Sequence, residues 1–300
     1  MPISELECLS QAQWEQSARE HLIEVKHWTK PYRHRKACHQ EHPVHDFLFT
    51  YYPFSPGKLE QWHPGYGIGL VCNERYPQSY HSRYYCRHEG VVSLNPGTLS
   101  EKEFYRLKWI HNLLSLTQSR NPHFGCHGMH EWAMVFGGND IRHRESTPLR
   151  LSQREIDDIV RSRSITCSHF DAYRFFSPDA RPYNKLQPTM DSRTEYEQPG
   201  CLHTNMDLYK WASKCMPWIG SGLLWKCFQL ALKARELDMR ASPYDLSSYG
   251  YSPVKIETAG GRAEYETLQR EISHLAKPLR QQLIHTLSQV IADAGQPAEK

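Results

Sequence analysis

The stretch "LSEKEFYRLKWIHNLL", residues 99–114, decides the fold class. Ser100 stands three residues before Glu103, the spacing of a capping box, in which each side chain reaches the other's backbone N–H. Phe104, Leu107, Ile110 and Leu114 follow at steps of 3, 3 and 4, which places them on one face of a helix. The same device recurs in "SQRE", where Ser152 and Glu155 precede Ile156, Ile159 and Val160. Residues 11–29 put Trp14, Ala18, Leu22 and Val25 on one face, with Pro31 expected to end that helix. Residues 204–215 carry Leu208, Trp211, Ala212 and Cys215 on one face, up to Pro217, with Thr204 as a candidate N-cap. Residues 221–240 align Leu224, Cys227, Phe228 and Ala231, and residues 263–292 are helical with a break or kink expected at Pro278. By contrast, residues 43–98 are rich in Pro, Gly, Tyr and His and have no helical period. They predict a loop-rich subregion with a few short strands. In it, "YYCRHEGVVSL" reads as a hairpin turning at Glu89-Gly90. "PVKIET" (253–258) is a further strand candidate. The expectation is one mainly α globular domain over residues 1–300, with a minor β or loop-rich part.

Composition narrows the classes. Among 300 residues, 39% are hydrophobic and 12% aromatic, which suits a packed core rather than a disordered chain. No apolar run approaches the roughly 18 residues of a membrane span, so no membrane partner is expected. The N-terminus lacks the basic and apolar regions of a signal peptide, and nine cysteines contain no C-x-x-C pair. Free thiols in the cytoplasm are the expectation. A net charge of +3 neither requires nor excludes nucleic acid. The unusual count is 18 histidines, since His both titrates near neutrality and is the commonest metal ligand.

The histidines gather in particular places. "HFGCHGMHEW" holds His123, His127, His130 and Glu131. On a helix these would converge as ligands for Zn, Fe or Mn; with Gly125 and Gly128 in the way, a loop feeding a helix at about Met129 fits equally, and the histidines are then buried hydrogen-bonding groups. "HPVHDF" (42–47) echoes the His-x-x-His-acid-aromatic order. "CSHFDAYRFF" (167–176) alternates His169, Asp171, Tyr173 and Arg174 with phenylalanines. An extended chain there points the first three one way, and a carboxylate among rings is a candidate general base. An Asp–Arg pair holding a turn is the alternative. His203 and Asp207 stand at i and i+4 on a helix start. They are candidate metal ligands or a hydrogen-bonded pair. "RELDMRASPYDL" (235–246) reads as a salt-bridge network at a helix end, and "KPYRHRK" (30–36) as a solvated basic helix end.

Taken together, "HPVHDFLFTYYPFSPGKLEQWHPG", "HFGCHGMHEWAMV", "HFDAYRFFSPDARPYN", "EQPGCLHTNMDLYKWA", "RELDMRASPYDL" and "GYSPVKIET" resemble a bacterial family labelled 3-methyladenine DNA glycosylase. The resemblance spans residues 40–280. It implies DNA as partner and hydrolysis of the N-glycosidic bond of an N-alkylated purine, with the base flipped between aromatic rings. Within that implied chemistry Asp171 is the candidate catalytic carboxylate, with His169, Tyr173 and Arg174 around it. One departure stands out. "HPGYGIG" (63–69) resembles the Pro-Gly-x-Gly hairpin of helix-hairpin-helix glycosylases, yet no Asp follows before Asp140. Two other classes therefore stay open. One is a metal-dependent enzyme on a helical scaffold, with a divalent ion on His127, His130, Glu131, His203 and Asp207. The other is a non-enzymatic nucleic-acid-binding module.

Overall fold

The structure is a computed structural model that describes residues 5–72, 78–138 and 147–295. Among these residues the chain forms eleven α-helices and one four-stranded sheet, so the fold is mainly α, as expected. Two compact units divide it. The first comprises residues 1–115, 209–229 and 279–300, and the second residues 116–208 and 230–278.

The first unit holds the sheet, ordered β1-β2-β4-β3 from Glu7–Leu9, Ile68–Val71, Tyr85–His88 (β3) and Val91–Leu94 (β4). β3 and β4 are the expected hairpin. His88 faces Val91, and the two turn residues Glu89 and Gly90 take φ of 50° and 78°. Two successive left-handed residues match the twist of the flanking strands. Helix α1 (Gln11–Ala37) opens on a Ser10–Gln13 capping box and lays Trp14 against the sheet. The Trp14 indole donates to Val71 O at 3.1 Å, and its ring packs with Leu70, Cys72, Tyr80 and Val92. α1 does not stop at Pro31 but runs through it to Ala37. Pro31 and His27 are both exposed, so the His27 carbonyl that loses its helical donor meets water. The same reason carries α11 (Ala259–Ala294) through Pro278, which is exposed together with His274.

The region expected to lack helix contains two single-turn ones, α2 (Phe47–Tyr51) and α3 (Pro56–Glu60). "HPGYGIG" is not a helical hairpin. Its Gly65 lies back to back with Gly220, where α10 (Gly220–Arg240) begins: a Cβ on Gly220 would stand 2.7 Å from Pro64 O and 3.2 Å from Gly65 Cα. Backbone bonds lock this approach, with His63 N donating to Ser221 Oγ and Ser221 N to His63 O, both at 2.9 Å.

His63 sits at this junction, its Nδ1 2.8 Å from the Tyr85 hydroxyl. Burial first, then the neighbouring His21, depress its pKa from 6.5 to about 4. The unfolded chain therefore takes up a proton that the folded chain refuses between these values, and stability contributed by neutral His63 is complete above pH 6.5 and lost as pH falls towards 4. Discounting for partial exposure, roughly 2 kcal/mol should disappear across that window. Urea titrations from pH 7 to 4 should show it, and His63→Gln should flatten the slope; an unchanged slope would remove His63 as its source.

In the second unit, α5 (Met129–Val135) packs on α6 (Gln153–Ser162), whose Ser152–Glu155 capping box forms as expected. The Trp132 indole donates to Ala241 O at 2.8 Å, tying α5 to the end of α10. Residues 253–258 form no strand. Val254 and Ile256 are buried from an irregular segment held by a bond from Val254 N to Arg240 O.

Candidate metal centre

All the residues of the candidate centre lie in the second unit. His127 and Gly128 take left-handed φ of 47° and 67°, and only then does α5 start, at Met129. His123, His127 and His130 therefore do not share a helical face; of the two readings left open by the sequence, the structure has the loop that feeds a helix at Met129. The ring of Tyr265 fills the space beside Gly128, 3.2 Å from where a Cβ would stand, so the turn needs glycine for room as well as for conformation.

Starting the helix at Met129 turns His130 and Glu131 inward, and both are buried. α9 (Leu202–Lys214) brings His203 beside His130, ring centroids 4.4 Å apart and nearly perpendicular. α10 supplies Asp238, fully buried. One ligand atom from each of His130, His203 and Asp238 lies within 4.8 Å of the others. His130 Nδ1 faces Asp238 Oδ1 at 3.6 Å, and His203 Nε2 stands 3.7 Å from Asp238 Oδ2. Neither His130 Nδ1 nor Asp238 Oδ1 has a hydrogen-bond partner, although both are buried. Arg235 Nη1 donates to Asp238 Oδ2 and to Glu131 Oε1, each at 2.9 Å, leaving Oδ1 as the oxygen that faces His130. Burial opposes charge on Asp238, but His203 and then His130 outweigh it and hold its pKa well below the usual carboxylate value. Burial likewise opposes charge on His203, and Asp238 more than reverses it.

The expected ligand set is thus only partly assembled. His130 and His203 meet, whereas Glu131 is engaged by Arg235 and His127 lies against Tyr265 with ring centroids 6.4 Å apart. Asp207, one helical turn after His203, faces His169 instead. The His169 Nδ1 accepts from Ala172 N at 3.3 Å, so its Nε2 carries the proton and donates to Asp207 Oδ2 at 3.2 Å. His169 is the N-cap of α7 (Phe170–Tyr173), a single helical turn, so the segment takes the reading of a turn with an Asp–Arg pair and not that of an extended run. Asp238 was legible only as part of an ion-pair segment. Its position three residues after Arg235 accounts for that pair, and nothing local announces the histidines.

The same turn sets the fate of Asp171. Its Oδ2 accepts from Arg193, and its Oδ1 stands 3.2 Å from Arg174 Nε. Arg193 also donates to Glu197 Oε1 at 3.0 Å and lies 3.9 Å from Asp207. Burial works against the Arg193 charge, yet Glu197, Asp171 and Asp207 hold its pKa above the ordinary value. Tyr173 is buried with its hydroxyl on Gln187, and Arg174 stacks over Phe175 at 4.3 Å. Asp171 is thus the buried partner of two guanidiniums.

All nine cysteines are free thiols, and Cys126, Cys167 and Cys201 lie near His203. The Cys167 thiol, then His203, draw the Cys126 pKa down against the effect of burial. Comparison with protein-family models, curated proteins and solved structures finds no match to this chain.

Proposed function

We propose that this chain is a metal-dependent enzyme that holds one divalent transition-metal ion on His130, His203 and Asp238. The observation that carries the reading is the pair of buried atoms His130 Nδ1 and Asp238 Oδ1, which face each other at 3.6 Å and make no hydrogen bond. Buried polar atoms in native proteins are nearly always satisfied. Ligands about 2.1 Å from a tetrahedral metal stand roughly 3.4 Å apart, so an ion fits with side-chain shifts of under about 1 Å. Two imidazoles and a carboxylate suit Zn, Fe or Mn. Three protein ligands leave positions for water and substrate, as in catalytic rather than structural sites. An ion there supplies a Lewis acid, and Arg235 orients the carboxylate from behind.

The glycosylase activity on DNA implied by the resemblance needs Asp171 as an available carboxylate. Two arginines occupy its oxygens, so the metal reading has the better support. Elemental analysis and zinc titration of the untagged protein test it. About one equivalent per chain is expected, lost in His203→Ala and Asp238→Asn and kept in His127→Ala, with circular dichroism confirming the fold. A wild-type protein that is metal-free and refuses added Zn, Fe and Mn would overturn the proposal.

A further inference from the structure

A second cluster in the same unit has charge without a counter-charge. Arg163, just beyond the end of α6, donates from Nη2 to Glu257 O at 3.1 Å. Arg262, in the first turn of α11, donates from Nη1 to the same oxygen at 3.3 Å and to Ile256 O at 3.1 Å. Two guanidiniums thus converge on one carbonyl. Among the described residues neither is paired with a carboxylate. The Glu257 side chain is taken by Arg150, whose Nη1 and Nη2 reach its two oxygens at 2.5 and 2.9 Å. Glu266 is taken by Arg270 at 2.6 Å. Arg163 Nε is buried with no partner. Burial and then Arg262 weaken the hold of Arg163 on its proton, as like charges forced together must.

The helix adds to the imbalance. α11 has no acid in its first turn, and Arg262 sits there instead. A helix N-terminus carries partial positive charge, which disfavours a cation and favours an anion. The two guanidiniums and the N-terminus of α11 therefore converge, and among the described residues the oxygens that the guanidiniums meet are backbone carbonyls. A guanidinium recognises an oxyanion through two parallel N–H···O bonds to two oxygens, and a single carbonyl offers only one.

We propose that Arg163 and Arg262 form a binding site for a phosphate-type oxyanion, either the free ion or the phosphate group of a monoester. The site does not depend on the metal reading, since neither residue is a ligand there.

Calorimetric titration with inorganic phosphate and with phenyl phosphate, in chloride buffer of matched ionic strength, tests the proposal. Saturable binding is expected for at least one of them, weakened tenfold or more in Arg262→Gln and in Arg163→Gln. Preference for inorganic phosphate would identify the free ion as ligand, and preference for phenyl phosphate a larger phosphorylated molecule. Thermal melts separate binding from a structural role. Without phosphate, Arg262→Gln should melt no lower than wild type, because a like-charge contact has been removed, and only wild type should gain from phosphate. Binding of neither compound above chloride, or equal binding in wild type and both variants (an adventitious ion only), would overturn the proposal. So would a phosphate-free melt of Arg262→Gln well below wild type.

Discussion

Arg193→Ala is expected to destabilise the protein by roughly 3–5 kcal/mol, the range for removing one partner from a buried charge network. Arg193 is itself buried and neutralises Asp171 and Glu197 directly, with Asp207 at 3.9 Å. Without it these carboxylates lose their buried guanidinium, while His169 and the half-exposed Arg174 remain beside them. They would then have to protonate or admit water, and each route costs free energy. Lysine would not restore the loss, because one ammonium cannot reproduce two guanidinium nitrogens directed at two carboxylates. Urea denaturation at pH 7 should show a lower midpoint with an unchanged slope for both Arg193→Ala and Arg193→Lys. A loss below about 1 kcal/mol would mean that these charges behave as a surface network.

Gly220→Ala is expected to cost about 3 kcal/mol. Gly220 has a φ of +74°, where an L side chain carries a penalty of about 1–2 kcal/mol. Its new Cβ would also stand 2.7 Å from Pro64 O, and backbone pinned by the His63–Ser221 bonds cannot retreat as a side chain would. Overpacking of this kind adds about 1–3 kcal/mol. Thermal melts should separate this variant sharply from Gly222→Ala, since Gly222 has open space around its Cβ position. Equal melting of the two variants would show that the first turn of α10 shifts without cost.

What the chain declares by itself is local. The capping boxes at Ser100 and Ser152 and the apolar periods behind them set helix starts, because each needs only residues within one or two turns. The Glu89-Gly90 turn and its hairpin are legible for the same reason. The failures are equally local in origin. Pro31 and Pro278 look like breaks until solvent is found beside the carbonyls they strand. The apolar residues of "PVKIET" look like a strand until no partner strand lies beside them.

The candidate centre divides along the same line. His130 and His203 could be singled out because the chain crowds its histidines. Their partner Asp238, the pairing of His169 with Asp207, and the capture of Asp171 by Arg193 join positions 22 to 108 residues apart. No spacing rule reaches that far. Sequence determined where the capped helices begin and which apolar residues line the faces behind Ser100 and Ser152. Only the tertiary structure decided which acid meets which base, because at that distance the choice belongs to packing: α5, α9 and α10 must first bury their apolar faces, and the charged groups then take the partners left within reach.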